Sequence, residues 1–174
     1  LDVVALGNSI GSGKPLTAPV IEIKDFDDLE AKKDLIKDKI VFYNYPFNPT
    51  FVRTFQAYSD AVKYRGQGPS RAAKYGAKGV IVRSMSHSTD NNPHTGSTAY
   101  NDSFAKIPAV AIGLRDAEWL SNAAAKNSEK GFTGALFNGT LGLTVYLGKN
   151  QKHADWIVPA DREADALQDR VAEL

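Results

Sequence analysis

The stretch from Tyr64 to Arg83, YRGQGPSRAAKYGAKGVIVR, decides the fold class. Gly68 lets the chain turn, and Pro69 suits the first turn of a helix, where its missing N–H has no partner to lose. Ala72, Ala73 and Tyr75 predict a short helix that can lie close on a sheet, and Gly76 supplies the left-handed residue that commonly ends one. The β-branched run Val80-Ile81-Val82 is too apolar and too short for anything but an inner strand. A helix feeding a buried strand implies a mixed α/β (α+β) architecture.

Towards the N-terminus, Lys39 to Tyr45 predicts a second inner strand, stopped by Pro46. Asp25 has the chemistry of an N-cap for a helix over Phe26 to Lys33, with Asp27 and Asp28 in its first turn, where the helix dipole favours anions. Pro19 to Lys24 alternates as a strand with one wet face, Asp2 to Leu6 as a short apolar strand, and Gly7 to Pro15 reads as a loop. Phe51, Phe55, Tyr58 and Val62 recur at helical spacing, so a helix is expected there with this stripe in the core. Towards the C-terminus, Ser84 to Phe104 has no periodicity, and a loop of that length within a domain is functional or mobile. Ile107 to Ile112 predicts a strand whose Pro108 suits a sheet edge or a strand start. Arg115 to Lys126 predicts a helix with Ala117, Leu120 and Ala124 inward, Leu141 to Leu147 a further strand, and Asp161 to Leu174 an amphipathic helix.

At 174 residues the chain is one ordinary domain, and 43% hydrophobic with 24% charged residues is a globular composition. A formal net charge of +1 gives no electrostatic case for nucleic acid or an anionic membrane. The absence of cysteine excludes a disulfide scaffold and thiolate zinc sites, and no apolar run approaches the roughly 20 residues of a membrane helix. Leu1 in place of an initiator Met reads as a processed or excised piece.

Several motifs could carry chemistry. Gly7-Asn8-Ser9-Ile10-Gly11 matches the G-x-S-x-G elbow that exposes a nucleophilic Ser after a strand, but a loop signal follows where the elbow needs a helix. Asp90 or Asp102 with His153 would complete a triad in the right order, yet such residues are common; a Gly-rich turn is the preferred reading. Gly11-Ser12-Gly13-Lys14 fails as a phosphate loop, because Asn8 stands where glycine is required and Pro15 where a hydroxyl is. The three histidines, His87, His94 and His153, lack metal-ligand spacing, so no zinc is expected in this chain, and His87, Asp90 and His94 read as solvated loop residues. Asn101 and Asn138 head glycosylation triplets. The remaining candidate is a surface. Tyr64, Arg65, Gln67 and Gly68 lie beside His94, Thr95 and Gly96 if the long loop folds back, and a helix N-terminus with an Arg beside it can seat an anion or carboxylate. The plainer alternative makes Arg65 a solvated helix-end charge and Pro93 to Gly96 a turn.

Six segments in order carry a resemblance: ALGNSIG from Ala5, FDDLEA from Phe26, DKIVFYN from Asp38, GPSRAAKYGAKGVIVRS from Gly68, PHTG from Pro93 and KIPAVAI from Lys106. Over roughly residues 3 to 147 the chain resembles the protease-associated domain of carboxypeptidase Q-like zinc exopeptidases. The resemblance implies an open barrel or sandwich flanked by short helices, with inner strands around Val41, Ile81 and Val110. It also implies a non-catalytic domain, residues 1–148, that covers the cleft of a peptidase and helps select peptide substrates, followed by a C-terminal extension over 149–174. Two zinc ions would belong to the parent catalytic domain, held by an H-x-D pair and separate Asp, Glu and His residues that have no counterpart here. The implied partners are that peptidase domain and its peptide substrate, and the implied location is secreted or periplasmic; Tyr64 to Gly68 and His94 to Gly96 would face the cleft. Beyond Gly148 the likeness fades, into either a variant crossing back to a catalytic domain or a junction. A free-standing peptide- or protein-binding module and a serine hydrolase using Ser9 are the alternative readings.

Overall fold

In a computed structural model of the protein, residues 1–87 and 90–129 are described. They form an α/β fold: a five-stranded, mostly parallel sheet with four α-helices. The strands are β1 (Val3–Ala5), β2 (Val20–Ile23), β3 (Ile40–Tyr43), β4 (Gly79–Arg83) and β5 (Ala109–Ile112), and the helices are α1 (Phe26–Ala31), α2 (Thr54–Gly66), α3 (Gly68–Lys74) and α4 (Leu114–Glu129). The spatial order is β1-β5-β4-β3-β2. β2 to β5 run parallel, and β1 pairs antiparallel with β5, Val3 opposite Ile112.

Alternation along the strands assigns the two faces. Ile23, Val41, Tyr43, Val80, Val82, Ala109 and Ala111 point to one side, where Leu29 of α1, Tyr64 of α2 and Ala72 of α3 cover them. Phe42, Ile81, Val110 and Ile112 point to the other, beneath Ala117 and Leu120 of α4. β3, β4 and β5 are wet on neither face, which is why each reads as an unbroken apolar run.

Local signals hold where the backbone demanded them. The Asp25 carboxylate accepts a 2.7 Å bond from the Asp28 N–H and caps α1. Pro69 sits in the first turn of α3, and Gly76 follows it at φ +80°, in the left-handed region. Gly68 has a different duty from the turn expected of it: a Cβ there would lie 2.7 Å from the ring of Tyr43, whose hydroxyl donates a 3.0 Å bond to the Gly68 carbonyl. Pro108 is at a strand start, its carbonyl accepting from the Val80 N–H at 2.8 Å.

The apolar stripe expected in the core of α2 is the main correction. Phe51 and Val52 precede the helix and Phe55 is 76% exposed, Tyr58 and Val62 are half-buried against Phe47, Ala57, Ala61 and Met85, and the fully buried positions are Ala57, Ala61, Tyr64 and Arg65. Small side chains let the helix approach its neighbours closely, so the alanines were drawn inward and the larger Phe55 was left outside. No closure into a barrel occurs among the described residues. The expected strand Leu141 to Leu147, the helix Asp161 to Leu174, the boundary at 148/149, His153 and the Asn138 triplet lie outside them.

Candidate functional site

The end of α2 and the start of α3 share Gln67 as cap, so two helices meet almost without a linker. This junction leaves the Gly66 carbonyl without a helical partner, and the long loop supplies two: the Ala99 N–H at 2.9 Å and the Thr98 hydroxyl at 3.2 Å. Further along, the Asn101 N–H donates to the Ser70 hydroxyl at 2.8 Å. The loop is also stitched to the start of the chain, because Gly7 donates to the Gly96 carbonyl and Thr98 donates to the Gly7 carbonyl, both at 2.9 Å.

Arg65 pins this arrangement. Its Nη1 donates to the Thr95 carbonyl at 3.0 Å and its Nη2 to the Tyr58 hydroxyl, and only a glycine fits at 96, since a Cβ there would strike the guanidinium. The side chain is 7% exposed, so it is not the solvated helix-end charge of the plainer reading. The fold therefore brings Arg65, Thr95 and Gly96 together, with the guanidinium engaged inside the protein. His94 is exposed and is anchored by its backbone N–H, which donates to the Ser84 hydroxyl at 2.7 Å.

Tyr64 and Gln67 instead line a groove of about 530 Å³ beside the junction. Its walls are Phe26, Tyr45 and Tyr64. Tyr45 stacks on Tyr64 at 4.4 Å between centroids, and Phe26 tilts on Tyr64 at 4.6 Å. Burial raises the Tyr64 hydroxyl pKa well above its ordinary value, and the Tyr45 hydroxyl is pushed up to about 12, chiefly by its bond to the Asp60 carboxylate and secondarily by burial. Both stay neutral at physiological pH. Two cations border the aromatic walls: Lys63 Nζ lies 5.3 Å from the Tyr64 centroid, and the Arg71 guanidinium lies 4.0 Å from that of Phe26. Asp25 and Asp27 lie on the same groove. Arg71 and Gln67 also line an adjoining cavity of about 400 Å³, together with Ser70, Ala99 and Asn101.

Sequence reasoning named Tyr64 and Gln67 but missed Phe26, Tyr45, Lys63 and Arg71, which come from three separate segments. It also missed a polar chain at the C-terminal edge of the sheet. There the Glu22 carboxylate accepts from Asn44 at 2.7 Å and from the Ser121 hydroxyl at 2.8 Å, and Arg83 donates to Asn44 at 3.1 Å. The signal was a charge inside each of two strand runs, Glu22 and Arg83.

The other motifs resolve structurally. Ser9 is buried, and its Oγ accepts the Ala109 N–H at 2.8 Å, tying the turn after β1 to β5. The His87 ring stands edge-on to Phe47 at 4.6 Å. Among the described residues no group of three His, Cys, Asp or Glu side chains could hold a metal ion, so these residues do not fit a zinc centre. No described helix is long and apolar enough to cross a membrane.

No family model matches the chain. Curated relatives do: human carboxypeptidase Q is 37% identical over 123 residues, and the Xenopus laevis carboxypeptidase Q is 37% identical over 127. These alignments span 70% and 72% of this chain but 24% and 25% of the relatives, so the chain corresponds to about a quarter of their length. Among solved structures, a peptidase M28 precursor from Shewanella amazonensis matches with a TM-score of 0.64 and 33% identity, over 72% of this chain and 28% of that one. Over about seven-tenths of its length, the chain is homologous to carboxypeptidase Q and to an M28 peptidase.

Proposed function

We propose that the chain is the protease-associated, non-catalytic domain of a secreted or periplasmic zinc exopeptidase, covering the active-site cleft and contributing to the choice of peptide substrate. The observation that carries this reading is the mismatch in coverage: about 70% of this chain aligns with about a quarter of carboxypeptidase Q. In this reading two zinc ions belong to the peptidase domain of the same polypeptide. The barrel-like character of such domains belongs to this reading as well, with the open sheet as its described part.

The test compares three proteins: this chain alone, the complete polypeptide, and the complete polypeptide with residues 1–148 replaced by a short linker. The chain alone is expected to hydrolyse no dipeptide. The linker variant is expected to keep zinc and turnover but to lose discrimination, its kcat/KM values converging across dipeptides that differ in side chain. Hydrolysis by the chain alone, or an unchanged kcat/KM profile in the linker variant, would overturn the reading.

A further inference from the structure

We propose that the end of the sheet at which β3, β4 and β5 begin is a docking surface for an anionic lipid bilayer. The formal net charge of +1 for the whole chain conceals a segregation. Lys37 and Lys39 precede β3, Lys78 precedes β4 and Lys106 precedes β5, while Lys33 lies just past α1 and Lys74 closes α3 at that same end. Contacts join these segments into one surface. The Lys78 N–H donates to the Lys39 carbonyl at 2.8 Å, the Asp38 N–H donates to the Gly76 carbonyl at 2.9 Å, and a Cβ on Gly76 would lie 3.4 Å from Cγ of Lys37. All six lysines but Lys39, which is half-buried, are exposed. The acids at this end are Asp34, Asp38 and Asp102, with Glu30 turned to the Tyr75 hydroxyl. Asp25, Asp27 and Asp28 instead follow the C-terminal end of β2, and Asp60 bonds Tyr45, just past that of β3.

Local stability explains only part of this cluster. The carbonyl ends of α1 and α3 favour a nearby cation, which accounts for Lys33 and Lys74 but not for the lysines at the strand starts. Lys78 pairs with Asp38 at 3.2 Å and Lys106 with Asp102 at 3.0 Å, whereas among the described residues Lys33, Lys37 and Lys39 have no ion-pair partner. Like charges held on neighbouring segments repel, and an anionic surface facing them relieves that repulsion. Two features select a bilayer as that surface. Every cation in the set is lysine, a point charge without the planar fork that reads a single phosphate or carboxylate, and the lysines are spread along three strand starts rather than converging on one point. Leu35, 56% exposed, lies between Lys33 and Lys37, an apolar group that can enter the lipid interface while the lysines meet the headgroups. A nucleic acid or an acidic glycan offers it nothing. Contact at this end leaves the aromatic groove, past the opposite ends of β2 and β3, facing away from the lipid. The surface is independent of the function proposed above.

The test is co-sedimentation of the 174-residue chain with phosphatidylcholine vesicles that contain or lack phosphatidylglycerol. Binding is expected only with the anionic lipid, and it should weaken at least tenfold from low to high salt. Lys33→Gln combined with Lys37→Gln should weaken it at least tenfold. Lys24→Gln combined with Arg115→Gln removes the same charge past the other ends of β2 and β5 and should leave binding unchanged. Leu35→Ser should weaken binding while preserving its salt dependence. Because all five positions are exposed or half-exposed on the surface, the urea midpoints of these variants should match the wild type, so a loss of binding reports the surface and not the fold. Equal binding to neutral vesicles, no binding to anionic ones, equal losses in the two charge-removing pairs, or undiminished binding in Leu35→Ser would overturn the proposal. Tighter binding to heparin than to vesicles would also overturn it, by making the partner a soluble polyanion rather than a bilayer.

Discussion

Replacing Gly68 by Ala tests how closely α3 and β3 are fitted. The new methyl would stand 2.7 Å from Cε2 and 3.1 Å from Cδ2 of Tyr43, and that ring is fully buried. It cannot simply swing away, since Phe26 stands edge-on to it at 5.9 Å and Tyr64 tilts on it at 5.8 Å. Overpacking of this kind costs ~1–3 kcal/mol. Displacing the ring also stretches the buried bond from its hydroxyl to the Gly68 carbonyl, worth ~1 kcal/mol. Alanine returns ~0.5–1 kcal/mol of helix propensity. The net expectation is a destabilisation of about 1–3 kcal/mol, read as a lower midpoint in urea with an unchanged slope. Gly66→Ala is the matched control: a Cβ there meets nothing within 4 Å, so the same substitution two residues earlier should be neutral or slightly stabilising. Gly68→Ala equal to or more stable than the wild type would refute the close approach.

Other outcomes follow from the same structure. Gly76→Ala forces a side chain into φ +80° and should cost ~1–2 kcal/mol in urea denaturation, although space near Lys37 is adequate. Arg65→Met removes the bond to Thr95 and should cost ~1.5–3 kcal/mol; faster amide exchange at Gly7, Thr98 and Ala99 should report a loosened loop. Because the folded state raises the Tyr45 pKa, its stabilising contribution is intact below about 10, the ordinary tyrosine value, and is lost as pH climbs towards about 12. Ultraviolet titration should lose one late-ionising tyrosine in Tyr45→Phe, with the buried Tyr43 and Tyr64 still ionising late, and should show that same tyrosine titrating earlier in Asp60→Asn.

The parts of the fold legible in the sequence are those set by local chemistry. Val80 to Val82 could only be buried, Asp25 could cap a helix, and Gly76 could end one, and each does so. Periodicity misjudged α2 because two interleaved sets share the same spacing. Phe51 and Phe55 of the expected stripe lose to Ala57, Ala61 and Tyr64 and stay exposed, whereas Tyr58 and Val62 of the same stripe do pack, half-buried, against Ala57 and Ala61. The site was half legible. The proximity of Arg65 to Thr95 and Gly96 followed from the long loop folding back, but the burial of Arg65 depends on a backbone carbonyl thirty residues away, which no side-chain pattern encodes. Arg71 escaped notice because its partner, Phe26, lies on a different helix.

The pairing of β1 with β5 bears on how the molecule assembles and on how it could fail. β2, β3 and β4 are joined by successive right-sized connections, whereas β1 and β5 come from opposite ends of the described chain, so the loss of chain freedom on closing them is the largest in the sheet. Until β1 arrives, β5 presents an apolar Ala-Val-Ala-Ile edge with open N–H and C=O groups, a template for pairing with another molecule. Three residues, Val3 to Ala5, thus act as a gatekeeper against aggregation, and the hydroxyl of Ser9, bonded to the Ala109 N–H, helps hold that gate shut.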